Sequence, residues 1–452
     1  MGSRVVPCAA WGWWIGFIAC TLFVAAGCST VGSGPQSAEA ASPSDSETSD
    51  LSGVDDNDDM NVVIMPPAAN GDMPTSGPFA DAAFFSLNDS QVTIEGTISD
   101  PSDVDIYDIG PVSAGDQIVI DVQAQSDLDA AAAVFDANEN LVYANDDRAY
   151  YAKLLDPMIS VQIRHDSAHC YVAIASSFST GTRGDYVVSV THAAAPGPVE
   201  VDKQHVYLNF DGAVSVVIGT RPAVDVPAFE GSLIAPEFEG QTDELIDRIM
   251  ELVRQDFAGV NVEFVSSREG ERPVEPHSTV HFGAYDQDLL GIAENIDEYN
   301  ERLVQQAVVF VDTFRAFLPL SPSVDEMAQV LANVASHETA HLLGLQHTND
   351  PHSIMDVTAT LRQMMGPQSF LRAPLDEYVF PIGYQDGPQL LVEAVGGDLA
   401  TAKAAAAQQL NLRALWYDED TGPAARKMHS FSACFCPGCA KARAARQGRS
   451  PS

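Results

Sequence analysis

The sequence predicts a multidomain chain in which an all-β sandwich precedes an α+β domain organised around one long helix. Three observations carry this reading. Phe79 to about Thr191 runs as short alternating strands between turn signals. From Val206 the order becomes strand, helix, several strands and then a long helix. Ahead of both, Ser29 to about Gly77 is rich in Ser, Ala, Gly, Pro, Asp and Glu, with Asp55-Asp56-Asn57-Asp58-Asp59 typical of it. Such a stretch cannot bury enough apolar surface to offset the entropy of ordering and is expected to be a disordered tether. At 452 residues the chain has room for two domains plus linkers.

In chain order, the first element is an export signal. Arg4 is followed by an apolar run, Trp11 to Ala26, too short for a comfortable membrane span. The run closes in Val24-Ala25-Ala26-Gly27-Cys28, which resembles the lipobox of bacterial lipoproteins. The resemblance implies a lipidated Cys28 at the mature N-terminus and an exported, envelope-anchored protein. With Ser29 next, it implies an outer membrane or cell-surface location. Acyl chains contribute about 0.8 kcal/mol per buried CH₂, enough to anchor the chain firmly. Ordinary cleavage near Ala26 is the alternative.

In the β-rich stretch, Ile94 to Ile98 leads into Ser99-Asp100-Pro101-Ser102-Asp103-Val104-Asp105, and later come Gly115-Asp116-Gln117-Ile118-Val119-Ile120 and Gly184-Asp185-Tyr186-Val187-Val188. These segments resemble the bacterial pre-peptidase C-terminal type domain, a β-sandwich that accompanies exported proteases as an accessory. Asp100, Asp103 and Asp105 are candidate calcium ligands, or else solvated turn residues. Cys170 lies on an apolar strand and is expected to be a small core residue.

The second domain opens with a strand at Val206–Phe210 and an amphipathic helix at Asp243–Phe257. Strands come next at Val260–Val265, Thr279–Phe282 and Ala307–Val311. Glu294–Leu303 is open to a helical reading. Ser323 with Glu326 three residues on is a capping box. From it Met327, Val330, Leu331, Val334, His337 and His341 keep one helical face, until Gly344 ends the run.

That helix carries the chemistry, in His337-Glu338-Thr339-Ala340-His341-Leu342-Leu343-Gly344-Leu345-Gln346-His347. Histidines four apart on a helix share a face, with Cβ atoms about 6 Å apart, so both rings can reach one metal ion. A left-handed glycine at 344 would let the chain reverse and return His347 as a third ligand. Three protein ligands leave a position for water, the arrangement of a catalytic zinc site. Glu338 stands beside the first ligand as the candidate general base.

The extended motif, together with the segment His347-Thr348-Asn349-Asp350-Pro351-His352-Ser353-Ile354-Met355-Asp356, resembles the metzincin zinc metallopeptidases and among them the matrixins. The resemblance implies a mixed twisted sheet over a long zinc-binding helix. It implies one catalytic zinc on His337, His341 and His347, and Met355 as the Met-turn residue beneath it. Substrates would be proteins or peptides, extended along an edge strand near Leu290–Ala293. Val357 stands where astacins and serralysins have a tyrosine, so no tyrosine ligand is expected. The domain reading is a lipoprotein signal peptide at 1–27, an acidic linker at 28–77, the sandwich at 78–196, the metallopeptidase domain at 197–425 and a basic Cys-containing tail at 426–452.

The tail inverts the character of the chain. After Asp420 there is no acidic residue, while Arg426, Lys427, Lys441, Arg443, Arg446 and Arg449 appear. His429, Cys434, Cys436 and Cys439 suit a second metal site, whereas an exported location favours a disulfide or free thiols. Over the whole chain the net charge is -40, which would repel nucleic acid. The leading function is an exported zinc endopeptidase. Its alternatives are a catalytically inactive, surface-tethered binding lipoprotein of the same fold, and a zinc amidase acting on cell-wall amides.

Overall fold

The structure, a computed structural model, describes residues 77–85, 91–149 and 153–416, and the backbone of Ser432–Cys434. All of them fall within one unit of the chain, Asp59–Ser452. The export signal, Cys28, the tether, His429, Cys436 and Cys439 lie outside the described residues.

Nine strands build a two-layered first part: β1 (Ala83–Phe84), β2 (Gln91–Ile98), β3 (Val104–Asp108), β4 (Gln117–Ala124), β5 (Ala130–Phe135), β6 (Leu141–Asn145), β7 (Met158–Gln162), β8 (Tyr171–Ser176) and β9 (Gly184–Ala193). One sheet has the order β2-β9-β4-β7, the other β1-β3-β8-β5-β6. Period-2 alternation sorts their side chains. Ile118, Ile120 and Val122 of β4 meet Ala130, Ala132 and Val134 of β5 and Val172 and Ile174 of β8 between the layers.

The second sheet is covered on its outer face as well. Ala131, Ala133 and Phe135 of β5 and Tyr171 and Ala173 of β8 pack with Phe79 and with Leu375 and Phe380 from far along the chain. Every position of β5 and β8 is therefore buried. This explains why both read as continuous apolar runs, the pattern of strands covered on two faces. The sandwich is thus built into the second domain.

The second part starts at β10 (Gln204–Asn209), followed by the small pair β11 (Ala213–Val216) and β12 (Val224–Val226). A four-residue helix α1 (Gly231–Ile234) precedes α2 (Thr242–Asp256), which buries Leu245, Ile246, Ile249, Met250, Leu252 and Val253 along one stripe. The main sheet adds β13 (Val262–Ser266), β14 (Ser278–Phe282), β15 (Gly291–Ala293) and β16 (Gln306–Val309). Its order is β13-β10-β14-β16-β15, and beyond β15 comes β19 (Ser432–Cys434) from the tail. β15 alone of the first five runs antiparallel to its neighbour, β16. This is the expected mixed sheet. The long helix α3 (Val324–His341) packs on α2 and the sheet through one continuous core.

Two local expectations need correcting. Glu294–Leu303 contains only a short 3-10 turn at Glu298–Asn300, with Tyr299 at φ 61 and Asn300 at φ 55. Tertiary contacts hold these left-handed residues: Tyr299 Oη donates to the Val142 carbonyl at 2.8 Å and its ring lies under Arg164. Helix α3 stops at His341, short of Gly344. After α3 come α4 (Leu361–Met364), β17 (Arg372–Pro374), β18 (Tyr384–Asp386), α5 (Gly387–Val395) and α6 (Leu399–Trp416).

Candidate metal centre

Helix α3 begins as its residues dictate. Ser323 accepts from Glu326 N, and the Glu326 carboxylate accepts from Ser323 N at 2.8 Å. From Met327 to His341 every residue of the helix is buried, so its polar groups need internal partners. Ser336 Oγ donates to Asp256 at the end of α2, at 2.7 Å. Burial pushes the Asp256 carboxyl up to about 8. Asn333 Nδ2 reaches the carbonyls of Met364 and Gly366, at 2.8 and 2.9 Å.

The three histidines come together. Candidate ligand atoms of His337, His341 and His347 lie within 4.8 Å of one another, a grouping that could hold a metal ion. His337 and His341 are buried and His347 half-buried. Gly344, at φ +97, makes the reversal that returns His347. A Cβ there would also meet the Glu298 backbone at 2.7 Å, so glycine is required twice over.

Hydrogen bonding sets the chemistry of the rings. His337 Nδ1 donates to the Ile354 carbonyl and His341 Nδ1 to the Leu345 carbonyl, each at 2.7 Å. A proton committed to Nδ1 leaves the Nε2 lone pair of a neutral imidazole as a metal ligand. His341 Nε2 and His347 Nε2 stand 3.1 Å apart. Nitrogens this close need a cation or a proton to relieve the repulsion of their lone pairs, and a metal ion held by the three imidazoles would supply it.

Glu338 is fully buried, and its carboxylate lies against the backbone of β15. A Cβ on Gly291 would fall 2.5 Å from Glu338 Oε1. The sequence signal for this contact was an isolated glycine in a short apolar strand, which marks close approach of another group. Met355 is 1% exposed, within the core that contains α3. Its carbonyl accepts from Thr348 N at 2.9 Å, closing the loop after His347.

Elsewhere the candidate residues sort differently. The three sandwich carboxylates are held by local hydrogen bonds. Asp100 accepts from Ser102, Asp103 from Ser99 and Asp105 from Tyr186 Oη at 2.6 Å. Each is thereby engaged in its own turn or cross-strand contact, and no metal-holding group forms there among the described residues. Cys170 is a buried core residue, its thiol pushed far up by burial. Cys434 is described as backbone in β19.

The family model of the matrixins matches residues 133–369, just over half of the chain, from within β5 to the segment between α4 and β17. The chain belongs to the matrixin family. Matrixins are zinc metallopeptidases, and the histidine cluster fits that assignment.

No curated protein matches this matrixin. Among solved structures it is similar to archaemetzincin from Methanopyrus kandleri, at 16% identity over 37% of this chain and 88% of that one, TM-score 0.22. The pre-peptidase C-terminal domain of a Bacillus anthracis collagenase matches at 15% identity over 24% and 92%, TM-score 0.18. A periplasmic inhibitor of g-type lysozyme from Aeromonas hydrophila matches at 11% identity over 24% and 97%, TM-score 0.19.

Beyond Met355, three aromatic residues of this matrixin, Tyr378, Phe380 and Tyr384, lie along the sandwich. Phe380 meets Phe135 edge-on at 5.7 Å, Tyr378 meets Phe178 at 4.7 Å, and Tyr384 lies under the Arg372 guanidinium at 3.8 Å. Arg372 also donates to Asn140 and to the Asn138 carbonyl, both at 2.7 Å. His165 sits between Asp136 and Glu393 of α5, 3.4 and 2.7 Å away. Those two carboxylates hold the His165 pKa up to about 10.

Proposed function

We propose that this matrixin is an exported zinc endopeptidase, anchored to the cell envelope through a lipid on Cys28, with Glu338 as general base. The observation that carries the catalytic reading is the convergence of His337, His341 and His347, two of them on the helix that also carries the fully buried Glu338. Zinc held by the three imidazoles would supply a Lewis acid for the scissile carbonyl and bring the pKa of its water toward 7. Glu338 would accept the proton of that water and pass it to the departing amine, a role that contributes about 10² to 10⁴ in rate. The Ile354 and Leu345 carbonyls keep the rings of His337 and His341 oriented throughout. An extended peptide would use the β15 edge, next to Glu338, as its main-chain template.

Purified mature protein is expected to bind one zinc ion and to cut an unfolded protein, and a chelator should abolish cutting. Glu338→Gln should retain zinc and lose about 10² to 10⁴ in kcat. Zinc-loaded protein with no turnover on any peptide library would favour the inactive binding lipoprotein. Metabolic labelling with a fatty acid, abolished by Cys28→Ala, tests the anchor.

A further inference from the structure

The main sheet ends on a strand contributed by the tail. Ser432–Cys434 runs parallel to β15, pairing Gly291 with Ser432, Ile292 with Ala433 and Ala293 with Cys434, and it also touches α3. On the other side of β15, Glu294 N donates to the Gln306 carbonyl and the Leu290 carbonyl accepts from Phe310 N. Strand alternation therefore turns Ile292 toward β16 and leaves the N–H and C=O groups of Gly291 and Ala293 on the outer edge. Those four groups, one residue of them pressed against Glu338, are the template an extended peptide would use.

We propose that residues 432–434 are a self-inhibitory strand that occupies this edge until the tail is displaced or cut. The inference rests on the peptidase reading above. Only residues 417–431 separate α6 from β19, and a short tether of that kind holds its segment at an effective concentration of order mM. A substrate present at micromolar levels must compete against it. Electrostatics favours the same contact, because Thr421–Ser452 carries basic residues and no acidic one in a chain of net charge -40.

The test compares, all zinc-loaded, the full chain, a form ending at Ala425, and the full chain with Ala433→Pro, which cannot pair as a regular strand. Hydrogen exchange at Gly291 and Ala293 should be at least about tenfold slower in the full chain than in either altered form. Hydrolysis of an unfolded protein should rise at least about tenfold in both altered forms, and a peptide spanning 426–440 should inhibit the form ending at Ala425. Equal exchange rates would overturn the proposal, as would a fall in hydrolysis on removing the tail. Protection without hydrolysis in any zinc-loaded form would instead refute the peptidase reading, and the inhibition with it.

Discussion

His337 donates from Nδ1 to the carbonyl of Ile354, 2.7 Å away, the residue immediately before Met355. The first candidate zinc ligand is therefore oriented by the backbone next to Met355, and the packing of Met355 becomes a determinant of ring geometry. Met355 is 1% exposed. Met355→Ala should cost about 2–5 kcal/mol as a core cavity and weaken zinc binding about 10- to 100-fold by loosening the carbonyl that holds the ring. Met355→Leu, which keeps the volume, should restore most of both. A competition titration that found Met355→Ala binding zinc as tightly as the native chain would refute this coupling.

Gly291 and Glu338 form a second such pair. Gly291→Ala would place a methyl 2.5 Å from Glu338 Oε1, and the carboxylate has to move. Overpacking of this kind costs about 1–3 kcal/mol, and a displaced general base can cost about 10² in rate. Zinc content is expected to stay unchanged. Normal kcat in Gly291→Ala would show that the base is not positioned by β15.

Three groups outside the candidate ligand set give the stability a pH dependence. Burial pushes the carboxyls of Asp256 and Glu298 up to about 8. An acid whose folded pKa is raised stabilises the fold fully only below its unfolded value, so stability falls as pH rises from about 4 through 8. His165, held up to about 10 by Asp136 and Glu393, contributes fully below about 6.5 and loses its contribution as pH rises through that folded value. The metal-free protein should therefore unfold at lower denaturant concentration at about pH 9 than at about pH 5.5. Glu298→Gln should flatten the part below about pH 8. Chelator must be present, because zinc binding to imidazole has the opposite pH dependence. A midpoint that climbed toward pH 9 in metal-free protein would contradict the assignment.

The seam between the sandwich and the metallopeptidase region should be cooperative. Phe380 is 1% exposed and contacts Phe135 across it. Phe380→Ala should cost about 3–5 kcal/mol and separate one calorimetric transition into two, with earlier proteolysis between the parts. A loss below about 1 kcal/mol with a single transition would mean that the two parts do not stabilise each other there.

The candidate metal ligands were legible in the sequence because their geometry is local. A four-residue spacing on a helix and a glycine reversal are decided by backbone dihedrals within ten residues, as are the capping box of Ser323 and Glu326 and the alternation of the sandwich strands. Contacts that join distant segments were decided by the tertiary structure alone. The approach of Glu338 to Gly291, the bond from Ser336 to a raised Asp256, the burial of β5 and β8 on both faces by Phe380 and Leu375, and the seating of Ser432–Cys434 on β15 each depend on how whole sheets and helices pack. Apolar burial is non-directional, so an apolar run such as Ala130–Phe135 announces that it will be covered but cannot say by what.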